Sequence, residues 1–126
     1  MERRKILVVD DNEILRSAYV LRLESAGFDV SVAGDGQAAC ARALEDHPDL
    51  MILDLGLPDG DGFSVMQRIR LARPTPEIPI VVLTAGDRKL HEQRALDFGA
   101  KAFLQKPIDG RALLGRVNDI LTSVAT

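Results

Sequence analysis

Three acids, a hydroxyl and an amine stand at or just past the ends of short apolar runs in this 126-residue chain. Asp10-Asp11 follow Ile6-Leu7-Val8-Val9, Asp54 follows Leu50-Met51-Ile52-Leu53, and Thr84 follows Ile80-Val81-Val82-Leu83. Lys106-Pro107 come just after Ala102-Phe103-Leu104. If these runs are neighbouring strands, all five groups meet at one edge. Three carboxylates brought together repel one another unless a cation sits among them. A set of oxygen ligands at an edge open to water suits Mg²⁺, which takes few carboxylates and keeps several waters. A phosphoryl group would complete the charge balance, with Lys106 as a point charge and Thr84 as a hydrogen-bond donor.

The elements that must position these groups can be read from the pattern. Four apolar runs are those just named, and Val30-Ser31-Val32-Ala33 is a fifth. Ile6–Val9, Leu50–Leu53 and Ile80–Leu83 are apolar throughout, as expected of parallel strands buried on both faces. The intervals between them carry helical periodicity. Ile14, Ala18, Leu21 and Ser25 mark one face of the first helix, and Val65, Met66, Ile69 and Ala72 mark the third. Leu113, Leu114, Val117, Ile120, Leu121 and Val124 form a broad stripe on the last. Asn12 or Asp11 is placed to cap the first helix, Asp87 the fourth and Asp109 the fifth, while Gly27 and Gly99 end two of them. Pro74-Thr75-Pro76-Glu77-Ile78-Pro79 reads as the turn into the fourth strand. Five strands alternating with five helices give an α/β protein with an open, doubly wound parallel sheet. Ligands of such sheets bind beyond the carboxyl ends of the strands, where the acids, Thr84 and Lys106 stand.

Composition narrows the classes. The length fits one domain, residues 1–126, and 46% hydrophobic content suffices for a core without disulfides or structural metal. A net charge of −3 argues against a nucleic-acid backbone as partner. The single cysteine, Cys40, suits a reducing cytoplasm and reads as a small buried apolar residue. No apolar run approaches a membrane span or a signal-peptide core, so the expectation is a cytoplasmic protein.

With these residues in place, the chain resembles response-regulator receiver domains of the CheY type, from two-component signal transduction, over essentially its whole length. The matching pieces are Ile6 to Asn12, Leu53-Asp54-Leu55-Gly56-Leu57-Pro58 with Asp61-Gly62, Val82-Leu83-Thr84-Ala85, Gly99-Ala100 and Lys106-Pro107. Each is weak alone; in order, each at a strand end, they are specific. The resemblance implies a (βα)5 flavodoxin-like three-layer sandwich with a five-stranded parallel sheet. It implies that Asp54 takes a phosphoryl group from the phosphohistidine of a sensor histidine kinase or a histidine phosphotransfer protein. It further implies Mg²⁺ held by Asp10, Asp11, Asp54 and the Gly56 carbonyl, with Lys106 pairing first with the carboxylate and then with a phosphoryl oxygen. Thr84 resembles the switch hydroxyl and Phe103 the aromatic that points inward or outward with state. Pro107 follows Lys106 across a bond commonly cis in the family. The output surface would be the fourth helix, fifth strand and fifth helix. The protein would be no enzyme beyond its own phosphorylation and dephosphorylation. An effector beyond Thr126, or none, fits equally.

Several departures matter. Phe103 lacks the hydroxyl of the frequent Tyr, and Leu57 replaces a frequent Met at similar volume. Gly56 and Gly86 carry no side chain at positions that in the family influence acyl-phosphate hydrolysis, so slow-to-moderate self-dephosphorylation is expected. Lys101 and Ala102 stand where winged-helix regulators usually place acids for dimer contact, which favours a monomer or a weak dimer.

Capping explains one acid of Asp10-Asp11 but not both together with Asp54. Lys106, Thr84 or Phe103 alone would be ordinary surface, strand-end or core residues. His47 and His91 lack ligand-like spacing and are expected to be solvated. Gly34-Asp35-Gly36-Gln37-Ala38-Ala39 mimics a dinucleotide fingerprint but follows the wrong strand. Asp59-Gly60-Asp61-Gly62 lacks the closing residues of a calcium loop. A haloacid-dehalogenase-type hydrolase would need its nucleophile after the first strand and a second acid where Gly56 stands. A phosphorylation-independent interaction module would not need the complete set of five polar residues.

Overall fold

Each of the five apolar runs is a strand of one parallel sheet in the computed structural model, which describes residues 3–72 and 77–125. The sheet strands are β1 Lys5–Val9, β2 Asp29–Ala33, β3 Leu50–Leu53, β4 Ile80–Thr84 and β5 Ala102–Gln105. Their spatial order is β2-β1-β3-β4-β5, the flavodoxin-like arrangement. The helices are α1 Glu13–Ser25, α2 Gly36–Asp46, α3 Gly62–Ala72, α4 Arg88–Asp97 and α5 Gly110–Ala125. Of the proline-rich approach to β4, positions 74–76 lie outside the described residues.

Side-chain alternation along the strands divides the core into two. Ile6, Val8, Leu50, Ile52, Val81, Leu83 and Leu104 face α1 and α5. Leu7, Val9, Met51, Leu53, Val82 and Phe103 face α2, α3 and α4. Strands apolar on both faces are what a three-layer sandwich demands, and β1, β3 and β4 meet that demand almost without interruption.

One expectation is corrected. The face of α1 marked by Ile14, Ala18, Leu21 and Ser25 points to solvent, with Ile14 86% and Leu21 68% exposed. The packed face is Leu15, Tyr19 and Leu23, spaced by four, which meets the sheet and α5. Tyr19 is the one aromatic ring of this helix and is buried at 4% exposure, while Ile14 and Leu21 lie on the opposite side. The chain also adds a two-stranded antiparallel hairpin, Gly56–Leu57 with Gly60–Asp61, that the pattern did not announce.

The caps explain where helices begin. Asn12, not Asp11, caps α1 by accepting from the Leu15 amide at 3.0 Å. Asp87 caps α4, and Asp109 accepts from the Ala112 amide at the start of α5. Gly27 and Gly99 follow α1 and α4 with φ of +98° and +102°, the left-handed region that only glycine enters without strain.

Candidate acidic site at the carboxyl edge of the sheet

Strand register brings the acids together. Val9 of β1 pairs with Leu53 of β3, so the residues that follow, Asp10 and Asp54, leave the sheet side by side. The Asp54 amide still bonds to the Val9 carbonyl at 3.0 Å, and the Asp10 amide to the Ala33 carbonyl at 3.1 Å. On the other flank, Thr84 pairs with Gln105, and the Lys106 amide bonds to the Thr84 carbonyl at 2.9 Å. The peptide bond between Lys106 and Pro107 is cis.

The side chains then close the site. The Lys106 ammonium donates to Asp10 Oδ2 at 2.6 Å and to Asp54 Oδ2 at 2.9 Å. Each acid gives its other oxygen to a loop amide. Asp10 Oδ1 accepts from Asn12 at 2.9 Å, and Asp54 Oδ1 from Gly56 at 3.1 Å. Asp10 and Asp54 are only 3% and 7% exposed, so their charges require such partners. Burial works against the Lys106 ammonium, but its hydrogen bonds to Asp10 and Asp54 outweigh that cost and hold its pKa above the usual lysine value.

Asp11 completes the cluster from the solvent side. One carboxylate oxygen each from Asp10, Asp11 and Asp54 lies within 4.8 Å of the others. Because Asn12 performs the capping, Asp11 remains exposed beside the two buried acids. This all-oxygen set, open to water on one side, fits a hard divalent cation such as Mg²⁺.

Thr84 is buried at the end of β4, and its Oγ1 accepts from the Gly86 amide at 3.3 Å. Phe103 lies on the same sheet face, buried in the core layer under α4, with the Arg88 guanidinium 5.4 Å from its ring centre. The ring is therefore inward. Beside Asp54 opens a cleft of about 370 Å³, lined among others by Gly56, Thr84, Gly86, His91 and Arg94.

Some residues near the site carried no sequence signal. His91 is half-buried against Phe63 and Gly86, not solvated as expected, whereas His47 is exposed at the left-handed end of α2. The only clue to His91 was its place in the first turns of a helix that starts just past the site. Arg16 donates to the Asp10 carbonyl at 3.0 Å and so braces the first acidic loop. Asp59 accepts from the Gly36 and Gln37 amides at 2.7 and 3.0 Å, bonds that hold its carboxyl below the usual range. The turn that mimics a dinucleotide fingerprint thus binds a carboxylate of its own chain. Asp61 accepts from the Ser64 amide at 3.0 Å and starts α3. Cys40 is buried in the core, as its apolar reading requires.

Comparison with known proteins agrees with this geometry. The profile of the family described as response regulator receiver domain matches residues 6–118. The chain is 40% identical over 117 residues to the DNA-binding dual master transcriptional regulator RpaA of Synechocystis, covering 93% of this chain and 48% of that protein. It is 38% identical over 118 residues to the alkaline phosphatase synthesis transcriptional regulatory protein PhoP of Bacillus subtilis, covering 94% and 48%. The chain thus spans about half the length of these curated relatives. A two-component response regulator from Clostridium difficile superposes with a TM-score of 0.91 at 27% identity, over 98% of this chain and 100% of that one. Among the described residues no helix is long and apolar enough to cross a membrane.

Proposed function

The chain belongs to the response regulator receiver domain family, and on that premise we propose that Asp54 accepts a phosphoryl group from the phosphohistidine of a histidine kinase or a phosphotransfer protein. The observation that carries the reading is one ammonium, that of Lys106, shared between Asp10 and Asp54 with Asp11 beside them. An Asp54 oxygen bonds to phosphorus while the P–N bond of the donor breaks and returns its electron pair to the imidazole. The protein contributes position and charge, as in other phosphoryl transfers. Lys106 shifts from the Asp54 carboxylate to a phosphoryl oxygen, and the Thr84 hydroxyl donates to another. Asp10, Asp11, Asp54 and the Gly56 carbonyl would hold Mg²⁺, which would supply the remaining countercharge.

Thr84 and Phe103 would pass the event on. They share a sheet face on adjacent strands, so a hydroxyl drawn towards the phosphoryl group changes the packing beside the ring. The inward ring is one of its two positions, and the surface of α4, β5 and α5 is the output face. A few kcal/mol, roughly, of differential contact suffices to tip such an element. Residues 1–126 act as a single cytoplasmic receiver domain, monomeric or weakly dimeric through that surface, without binding nucleic acid themselves. The length of the regulators it resembles supports an effector beyond Thr126.

Incubating the protein with Mg²⁺ and a small phosphodonor such as acetyl phosphate, then weighing it intact, tests the reading. One phosphoryl group should be gained, and none by Asp54→Asn. Repeated turnover of a phosphate ester would favour a hydrolase instead.

A further inference from the structure

Gly56 and Gly86 flank the cleft beside Asp54, and neither offers a polar side chain to water entering it. On the Gly56 side there is open space: a Cβ there would meet only Asp54 Oδ1, at 3.8 Å. The Gly86 side is filled from α4. A Cβ at Gly86 would lie 2.9 Å from Cδ2 and 3.4 Å from Nε2 of His91, and 3.6 Å from Oγ1 of Thr84. The imidazole therefore takes the volume that a side chain at position 86 would occupy. Its nitrogen-bearing edge and the Thr84 hydroxyl approach the same point. Turning the ring by half a rotation puts Nδ1 on that edge, so a nitrogen faces Gly86 in either orientation.

The ring also lies beside an aromatic partner. Its centroid lies 6.1 Å from that of Phe63, and the Arg94 guanidinium covers Phe63 at 4.0 Å. Among the described residues no hydrogen bond or ion pair engages the imidazole. A half-buried ring with an unengaged nitrogen, in a cleft that also contains Asp54, is suited to hold one water.

We propose that His91 is a positioning residue for hydrolysis of the Asp54 acyl phosphate, its imidazole orienting the attacking water. The inference deepens the phosphoacceptor reading and rests on it. Water oxygen bonds to phosphorus and the P–O bond to Asp54 breaks. Its electron pair restores the carboxylate, and both water hydrogens leave with inorganic phosphate. Hydrolysis is therefore faster than the two glycines alone imply.

The test follows decay of purified phosphoprotein in Mg²⁺ after the small phosphodonor is removed, comparing variants at matched initial phosphorylation. His91→Phe keeps a ring against Phe63 but removes the hydrogen-bonding nitrogens, and should slow decay about tenfold, the rate equivalent of one ordinary hydrogen bond. Gly86→Ala, whose methyl displaces the imidazole, should slow it similarly. His91→Gln restores a hydrogen-bonding group and should recover most of the rate. Unchanged or faster decay in His91→Phe overturns the proposal, as does a Gln variant as slow as the Phe variant. Failure of the unmodified protein to take up phosphoryl at all overturns the phosphoacceptor reading instead.

Discussion

Lys106 stands closer to Asp10 than to Asp54, 2.6 Å against 2.9 Å, although Asp54 is the proposed acceptor. Both acids share the one ammonium. Asp10 anchors the ammonium at the edge of β1, so Lys106 keeps a partner when the charge on Asp54 is modified. A lysine tied to Asp54 alone would have to leave its only partner on phosphorylation.

Removing that ammonium leaves two buried carboxylates facing each other. Lys106→Met is expected to destabilise the metal-free protein by about 3 kcal/mol, the scale for breaking a buried pair. A divalent cation partly replaces the lost charge, so the deficit should shrink in millimolar Mg²⁺. Urea midpoints with and without Mg²⁺ measure both effects.

The same pairing makes stability depend on alkaline pH. The folded-state pKa of Lys106 is raised by Asp10 and Asp54 against the cost of burial. Its contribution is therefore complete below the unfolded value of about 10.4 and is lost as pH rises through the folded value. Tyr19, pushed up by burial, acts in the same direction. Urea midpoints should fall above about pH 10, less steeply in Lys106→Met, with the residual slope coming from Tyr19.

The reassigned face of α1 is tested by a contrast. Leu23 is fully buried against the sheet and α5, and Leu23→Ala should cost about 3 kcal/mol. Leu21, two residues away and 68% exposed, should cost within about 0.5 kcal/mol on the same change. Equal losses at both positions would restore the original face.

Close backbone approach makes a further prediction at Gly62. A Cβ there would lie 2.8 Å from the Asp54 carbonyl and 2.9 Å from Leu55 Cα, contacts with backbone that cannot swing aside. Gly62→Ala should destabilise the protein by about 1–3 kcal/mol, the usual range for overpacking, and disturb the loop behind Asp54. At Gly56 the only contact is ordinary, so Gly56→Ala should leave thermal stability nearly unchanged.

Strand positions were legible because burial on both faces forces long apolar runs, and the polar residue ending each run then marks the sheet edge. That logic places Asp10, Asp54 and Thr84, while Lys106 stands one residue further on, after Gln105 of β5. It fails for α1, where Leu15, Tyr19 and Leu23 form the buried row and the equally periodic Ile14 and Leu21 are exposed. It also misses His91 and Arg16, which reach the site from helices through their length. Asp59 is missed for another reason: its partners, the amides of Gly36 and Gln37, are more than twenty residues away, and backbone donors leave no trace in a sequence.

The most direct test locates the phosphoryl group by residue. Protein phosphorylated in Mg²⁺ is reduced with borohydride, which converts an acyl-phosphorylated aspartate to homoserine, and its peptides are weighed. Conversion at Asp54 alone, abolished when Mg²⁺ is chelated beforehand, is the expected result. Conversion at another acid, or unchanged conversion without divalent cation, would contradict the account.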